Sequence, residues 1–214
     1  MMGIHAFALD MLYESLKAVG ITSLKGKWML ELGNQIIRND AKKKFGLTHL
    51  NAKSYFLSLG CNHHSIDLNG LDGAVPLDMT KPVPIEKYLS RFDIITDFGC
   101  IEHICGVDNA RRTTEPYRLY HWQAWKNIHD MGKTGCVYIH MLPLTGSVPG
   151  HGAFHYTEDF CEKVEQANKY QRLKLIIHST DPRTTKRDYI WWSYMKTEDE
   201  PFKPEKEIFK EWLP

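Results

Sequence analysis

At 214 residues, with 43% hydrophobic and 12% aromatic content, the chain can bury a full core and reads as one domain over 1–214, with a helix in 1–24 and a tail in 197–214. Basic and acidic side chains nearly cancel, giving formal net charge +1, so no global field draws the protein to nucleic acid or to an anionic membrane. Five cysteines without a Cys-x-x-Cys pair, no signal-like N-terminus and no run of about 18 apolar residues lead us to expect reduced thiols in a soluble, cytoplasmic protein.

In chain order, Ile4 to Val19 places Ile4, Phe7, Ala8, Met11, Leu12 and Leu16 on one helical face, and Gly20 stops the pattern. Lys27 to Leu32 predicts a short apolar strand ending at Gly33, followed by helices over Asn34 to Phe45 and Leu47 to Leu59. His64 to Leu68 predicts a second strand, ending at Asp67, and Ala74 to Leu77 a brief third, leading to Asp78. Phe92 to Phe98 is a nearly continuous apolar run of the kind buried on both faces of a parallel sheet. A helix is expected from Glu115 to Met131, a fifth strand from Gly135 to Leu142, and a helix to about Tyr170 behind the N-cap Thr157. Leu173 to His178 and Tyr189 to Met195 complete the strands. Alternation of this kind indicates an α/β, Rossmann-like three-layer sandwich around a mostly parallel seven-stranded sheet with an antiparallel edge.

Ligands of such a sheet sit beyond the carboxyl ends of its strands, near the reversal of strand order. That edge reads Glu31-Leu32-Gly33-Asn34, then Asp67-Leu68, Asp78-Met79 and Asp97-Phe98-Gly99. A single acid after a strand is commonly only a turn residue. Together, however, two spaced carboxylates and a close-approach glycine meet the needs of a nucleoside: acceptors for ribose hydroxyls and for an exocyclic amine, and room for the backbone to come near.

In these residues the chain resembles the class I S-adenosylmethionine-dependent methyltransferases. The resemblance implies that Glu31, Gly33 and Asn34 contact the methionine end of the cofactor, Asp67 and Leu68 the ribose, and Asp78 and Met79 the adenine, with Asp97, Phe98 and Gly99 opening the loop toward the acceptor. Only one glycine stands in the first loop, which then turns with Asn34. A dinucleotide enzyme would need a glycine-rich pyrophosphate cradle, which ELGNQI does not supply, and no GxxxxGK[ST] sequence occurs.

Acceptor chemistry concentrates in two places. Glu102-His103 follows the fourth strand, where His103 is the candidate base for methyl transfer and Glu102 the group that orients it, although both could simply cap a helix. The Gly- and Pro-rich stretch Met141 to Tyr156 carries His151 and His155 beside His140, and we assign these three to acceptor binding; no compact ligand motif is present, so no metal is expected. The acceptor is expected to be a small molecule or sugar, methylated at oxygen. Nucleic acid is not favoured, because Asp97-Phe98-Gly99-Cys100 stands where base methyltransferases resembling this fold carry Asp/Asn-Pro-Pro-aromatic. A cofactor-binding protein without catalytic activity is the alternative. The scattered basic clusters Lys42 to Lys44, Arg111-Arg112 and Arg183 to Arg187 read as solvated faces, and Tyr117, Tyr120, Trp122 and Trp125 as core or lid packing. Phe202, Ile208, Phe209 and Trp212 in the tail could fold back or contact a second copy in a homodimer.

Overall fold

A computed structural model describes residues 3–84, 86–105, 115–179, 188–204 and 208. Arg111-Arg112, Arg183 to Arg187, Phe209 and Trp212 lie outside these, as does the side chain of Tyr117.

The chain opens with a two-residue strand β1 (Gly3–Ile4) and helix α1 (Ala6–Ala18). Then come β2 (Trp28–Leu32), β3 (Ile36–Ile37), α2 (Asn39–Phe45), α3 (Ala52–Ser58) and β4 (Asn62–Ile66). The remaining elements are β5 (Phe92–Phe98), α4 (Glu115–Met131), β6 (Gly132–Pro143), α5 (Glu158–Asn168), β7 (Gln171–His178) and β8 (Tyr189–Met195). The principal sheet has the order β4-β2-β5-β6-β8-β7. Its first four strands run parallel, and β8 is antiparallel to both neighbours. The terminal strand pair anticipated from sequence is therefore present, with the reversed strand second from the edge.

Side-chain alternation sorts the core into two layers. Met29, Ile94, Val137, Ile139 and Trp191 pack with Leu9, Leu12 and Leu16 of α1. Leu30, Ile95, Tyr138, Trp192 and Tyr194 pack on the other face with Trp125 and Ile128 of α4 and Phe160 and Val164 of α5. Covered on both sides, β5 is buried along its whole length, which is why FDIITDF shows no polar alternation. Thr157 caps α5, its side chain accepting from the Phe160 N–H. The described part of the tail folds back: Phe202 is buried against Trp122 and His129, and the Trp122 indole donates to the Lys203 carbonyl.

Two expectations need correction. The stretch after Gly33 is not helical at once; Ile36 and Ile37 are extended and pair in parallel with Gly3 and Ile4, so the helix begins only at Asn39. β-branched isoleucines suit that ladder better than a helical turn. The third strand is a single parallel bridge from Val75 to Ile66, because Pro76 has no N–H to continue the ladder. Among the described residues the principal sheet thus has six strands rather than seven.

Buried histidines make stability depend on pH. His129 places one ring nitrogen on the Tyr170 hydroxyl and donates from the other to the Glu200 carbonyl, which the neutral imidazole satisfies with one N–H and one lone pair. Burial, aided by Lys196, lowers its pKa to about 4. The unfolded chain takes up that proton near pH 6.5, so this contribution is complete above 6.5 and is lost as pH falls toward 4. Between pH 7 and pH 5 it should cost about 2 kcal/mol. Urea titrations at the two pH values should show His129→Gln losing about that much less than wild type; parallel losses would show that other groups control acid lability.

Candidate functional site

Strand order reverses at β2, whose neighbours are β4 on one side and β5 on the other. Beyond the carboxyl ends of these three strands lies a cavity of about 550 Å³. Asp67 and Leu68 after β4, Asp78 and Met79 after the Val75 bridge, and His103 after β5 all line it. Lys81, Cys100, Ile104 and Tyr120 stand on the wall beside them.

Asp67, Asp78 and Asp97 also hold backbone. Asp67 accepts from the Asn34 N–H at 2.8 Å and the Asn69 N–H at 3.0 Å, tying the β2 and β4 loops together. The Asn34 side chain donates to Asp72 at 2.7 Å, a partner that the sequence did not suggest. Asp78 receives the Thr80 N–H and hydroxyl and pairs with Lys81 at 3.0 Å, and the Thr80 hydroxyl is the main cause of its lowered pKa. Gly33 sits at φ +80°, and a Cβ there would come within 2.8 Å of the Gln35 side chain.

Asp97 lies at the end of β5, fully buried, with one oxygen accepting from the Cys100 and Ile101 N–H groups and the other facing His140 at 3.1 Å. It shapes the loop from inside and does not line the cavity. Glu31 is likewise buried and turned toward His63, 3.6 Å away, and burial raises its pKa well above the carboxylate range. Phe98 belongs to the core layer on the α1 side, and Gly99 turns the chain at φ +80°. Four carboxyl groups, Asp97, Glu102, Asp67 and Glu31, nevertheless stand close enough to Cys100 to reinforce the effect of burial in raising its thiol pKa. Of the acids, Asp67 and Asp78 line the cavity, together with Lys81, while Glu31, Asp97 and Glu102 lie behind its wall.

Of the three histidines assigned to the acceptor, the fold brings one to His103. His151 Nε2 lies 3.4 Å from Glu102 Oε1, and His103 Nε2 lies 3.7 Å from the same oxygen. Glu102 is fully buried, and burial pushes its pKa up to about 7. Desolvation lowers His103, whereas the Glu102 carboxyl beside it raises His151. The loop after β6 is fastened here because the Ala153 and Phe154 N–H groups both donate to the Glu102 carbonyl. Gly152 permits that approach: a Cβ would lie 2.7 Å from Glu102 Cγ. His140, by contrast, is a β6 core residue with no exposure, placed between Asp97 and the Tyr194 hydroxyl, so its assignment to the acceptor is corrected. His155 spends Nε2 on the His151 carbonyl, 2.7 Å away, and is absent from the cavity wall.

No family model matches the sequence, and no curated protein matches it with significance. Solved structures do match. A 1,6-didemethyltoxoflavin-N1-methyltransferase from Burkholderia thailandensis, with bound 1,6-didemethyltoxoflavin and S-adenosylhomocysteine, superposes with TM-score 0.54 at 15% identity, covering 88% of this chain and 78% of that one. The fold is that of the S-adenosylmethionine-dependent methyltransferases. The N-methyltransferase NodS of Bradyrhizobium japonicum, in complex with S-adenosylhomocysteine, gives TM-score 0.54 at 15% identity over 89% and 85% of the two chains. A putative S-adenosylmethionine-dependent methyltransferase from Listeria monocytogenes gives 0.55 at 13% identity over 90% and 99%. Among the described residues no helix is long and apolar enough to cross a membrane.

Proposed function

We propose that the protein is an S-adenosylmethionine-dependent methyltransferase acting on a small acceptor, at oxygen. The observation that carries this reading is the cavity at the strand reversal, with Asp67 and Asp78 on its wall. S-adenosylmethionine supplies an electrophilic methyl group on a sulfonium and carries no phosphate, so it needs acceptors for its ribose hydroxyls and adenine amine, which Asp67 and Asp78 offer, and no pyrophosphate cradle. Asp67 would hold the ribose, Asp78 and Met79 the adenine side, and the loop at Gly33 and Asn34 the methionine end. Glu102, His103 and His151 stand where an acceptor would enter, and His103, on the cavity wall, would take the hydroxyl proton. The bound didemethyltoxoflavin of the Burkholderia relative supports a small-molecule acceptor. Five free thiols agree with a reducing cytoplasm.

Calorimetry tests this directly. S-adenosylhomocysteine should bind and nicotinamide dinucleotides should not; the reverse would overturn the reading. Asp67→Ala should weaken binding more than Asp78→Ala, on the order of 10- to 100-fold, because it removes the ribose acceptor together with the brace to Asn34. Equal, negligible effects would reduce both acids to turn residues.

A further inference from the structure

We propose that Glu102, His103 and His151 form a divalent transition-metal site with a two-histidine, one-carboxylate ligand set. The first observation is an orphaned carboxylate. Glu102 is fully buried, and neither of its oxygens makes a hydrogen bond; the buried Nε2 of His151 likewise makes none. A buried carboxylate left in that condition is costly unless a positive group completes it.

The second observation is the spacing. Two imidazole nitrogens approach one carboxylate oxygen, Glu102 Oε1, at 3.4 and 3.7 Å. Charge-assisted hydrogen bonds close to about 2.7–2.9 Å, so neither contact is one. Around a first-row ion with bonds of about 2.0–2.1 Å, neighbouring donor atoms stand roughly 3.0–3.4 Å apart. The two carboxylate–imidazole separations need only a few tenths of an ångström of closure, and the imidazole nitrogens, within 4.8 Å of each other, would be drawn together by the ion. Third, the site is pre-organised: the segment carrying His151 is bonded through Ala153 and Phe154 to the Glu102 carbonyl, and Gly152 packs on its side chain.

Two imidazoles with a carboxylate suit Zn²⁺, Co²⁺ or Fe²⁺ better than Mg²⁺ or Ca²⁺. His103 reaches the cavity, its side chain 48% exposed, so coordination positions remain for water or for a ligand oxygen. In a methyltransferase such an ion would bind the acceptor hydroxyl and ease loss of its proton. That consequence rests on the function proposed above; the site itself does not.

The test uses tag-free protein titrated with Co²⁺ in the absence of any nucleoside. One equivalent should bind per chain, with visible d–d absorption that Zn²⁺ abolishes by displacement. Glu102→Gln and His151→Ala should each weaken Co²⁺ binding at least about tenfold, whereas His49→Ala, on the connection between α2 and α3, should leave it unchanged. Thermal melting establishes that the variants are folded, and the wild-type titration is decisive without them. Absence of a stoichiometric Co²⁺ complex, or undiminished binding by folded His151→Ala, would overturn the site and leave Glu102 sharing a proton with His151. Because no cofactor is present, failure here is distinct from failure to bind S-adenosylhomocysteine.

Discussion

Replacing His103 with alanine should slow methyl transfer by about 10²- to 10⁴-fold, the usual contribution of a positioned proton acceptor, while S-adenosylhomocysteine binds as before. The separation follows from placement. His103 stands on the cavity wall beyond β5 beside Glu102, whereas the groups proposed for ribose and adenine, Asp67 and Asp78, come from the neighbouring loops. The measurement is a single-turnover rate at saturating cofactor, with release of the demethylated product followed over a panel of small hydroxyl compounds. A variant that turns over at the wild-type rate makes His103 a wall residue. Wild-type protein that binds the cofactor but transfers to nothing would instead fit a binding module. If a cation occupies the cluster, the variant also loses metal affinity, and the Co²⁺ titration tells direct proton transfer from metal assistance.

The second large effect concerns stability. Trp125→Ala should cost about 3–5 kcal/mol, the range for removing a fully buried large aromatic side chain. Trp125 is 1% exposed and lies against His140, Phe160 and Trp192, so it joins α4 to the sheet and to α5. Its indole N–H also donates to His121 Nε2 at 3.1 Å, and the same nitrogen contacts the Tyr156 hydroxyl at 2.8 Å. Collapse around the void is hindered because those polar partners fix their positions. Urea unfolding should show a lower midpoint with an unchanged slope; a loss below about 1 kcal/mol would mean that neighbouring rings refill the space.

Patterns with one dominant cause were legible in the sequence. Continuous apolarity marked β5 because both of its faces are covered, and helix signals marked α4; both occur with the anticipated bounds. The acids at Asp67 and Asp78 were legible because they follow strands at the crevice edge. Features that depend on distant pairing were not. Nothing local in Asn34 to Ile37 announces that residues 3 and 4 will capture Ile36 and Ile37 in a ladder. Pro76 was the available sign that the third strand would fail. In the site, Cys100 read as one more half-buried thiol and Tyr120 as packing, although both line the cavity. His140 and His151 looked alike as members of one histidine-bearing stretch. Register decides between them: His140 is paired within the sheet, whereas His151 is returned to Glu102 by a loop whose path no short-range pattern encodes.

Glu102 performs two tasks with different parts of one residue. Its main-chain oxygen fastens the loop after β6, and its side chain serves the cluster with His103 and His151. A carbonyl belongs to every amino acid, so the fastening passes unchanged through any substitution that the turn tolerates, while the carboxyl group can be gained or lost in a single mutational step. Descendants of such a chain could therefore exchange one chemistry for another at position 102 and inherit the pocket's shape intact.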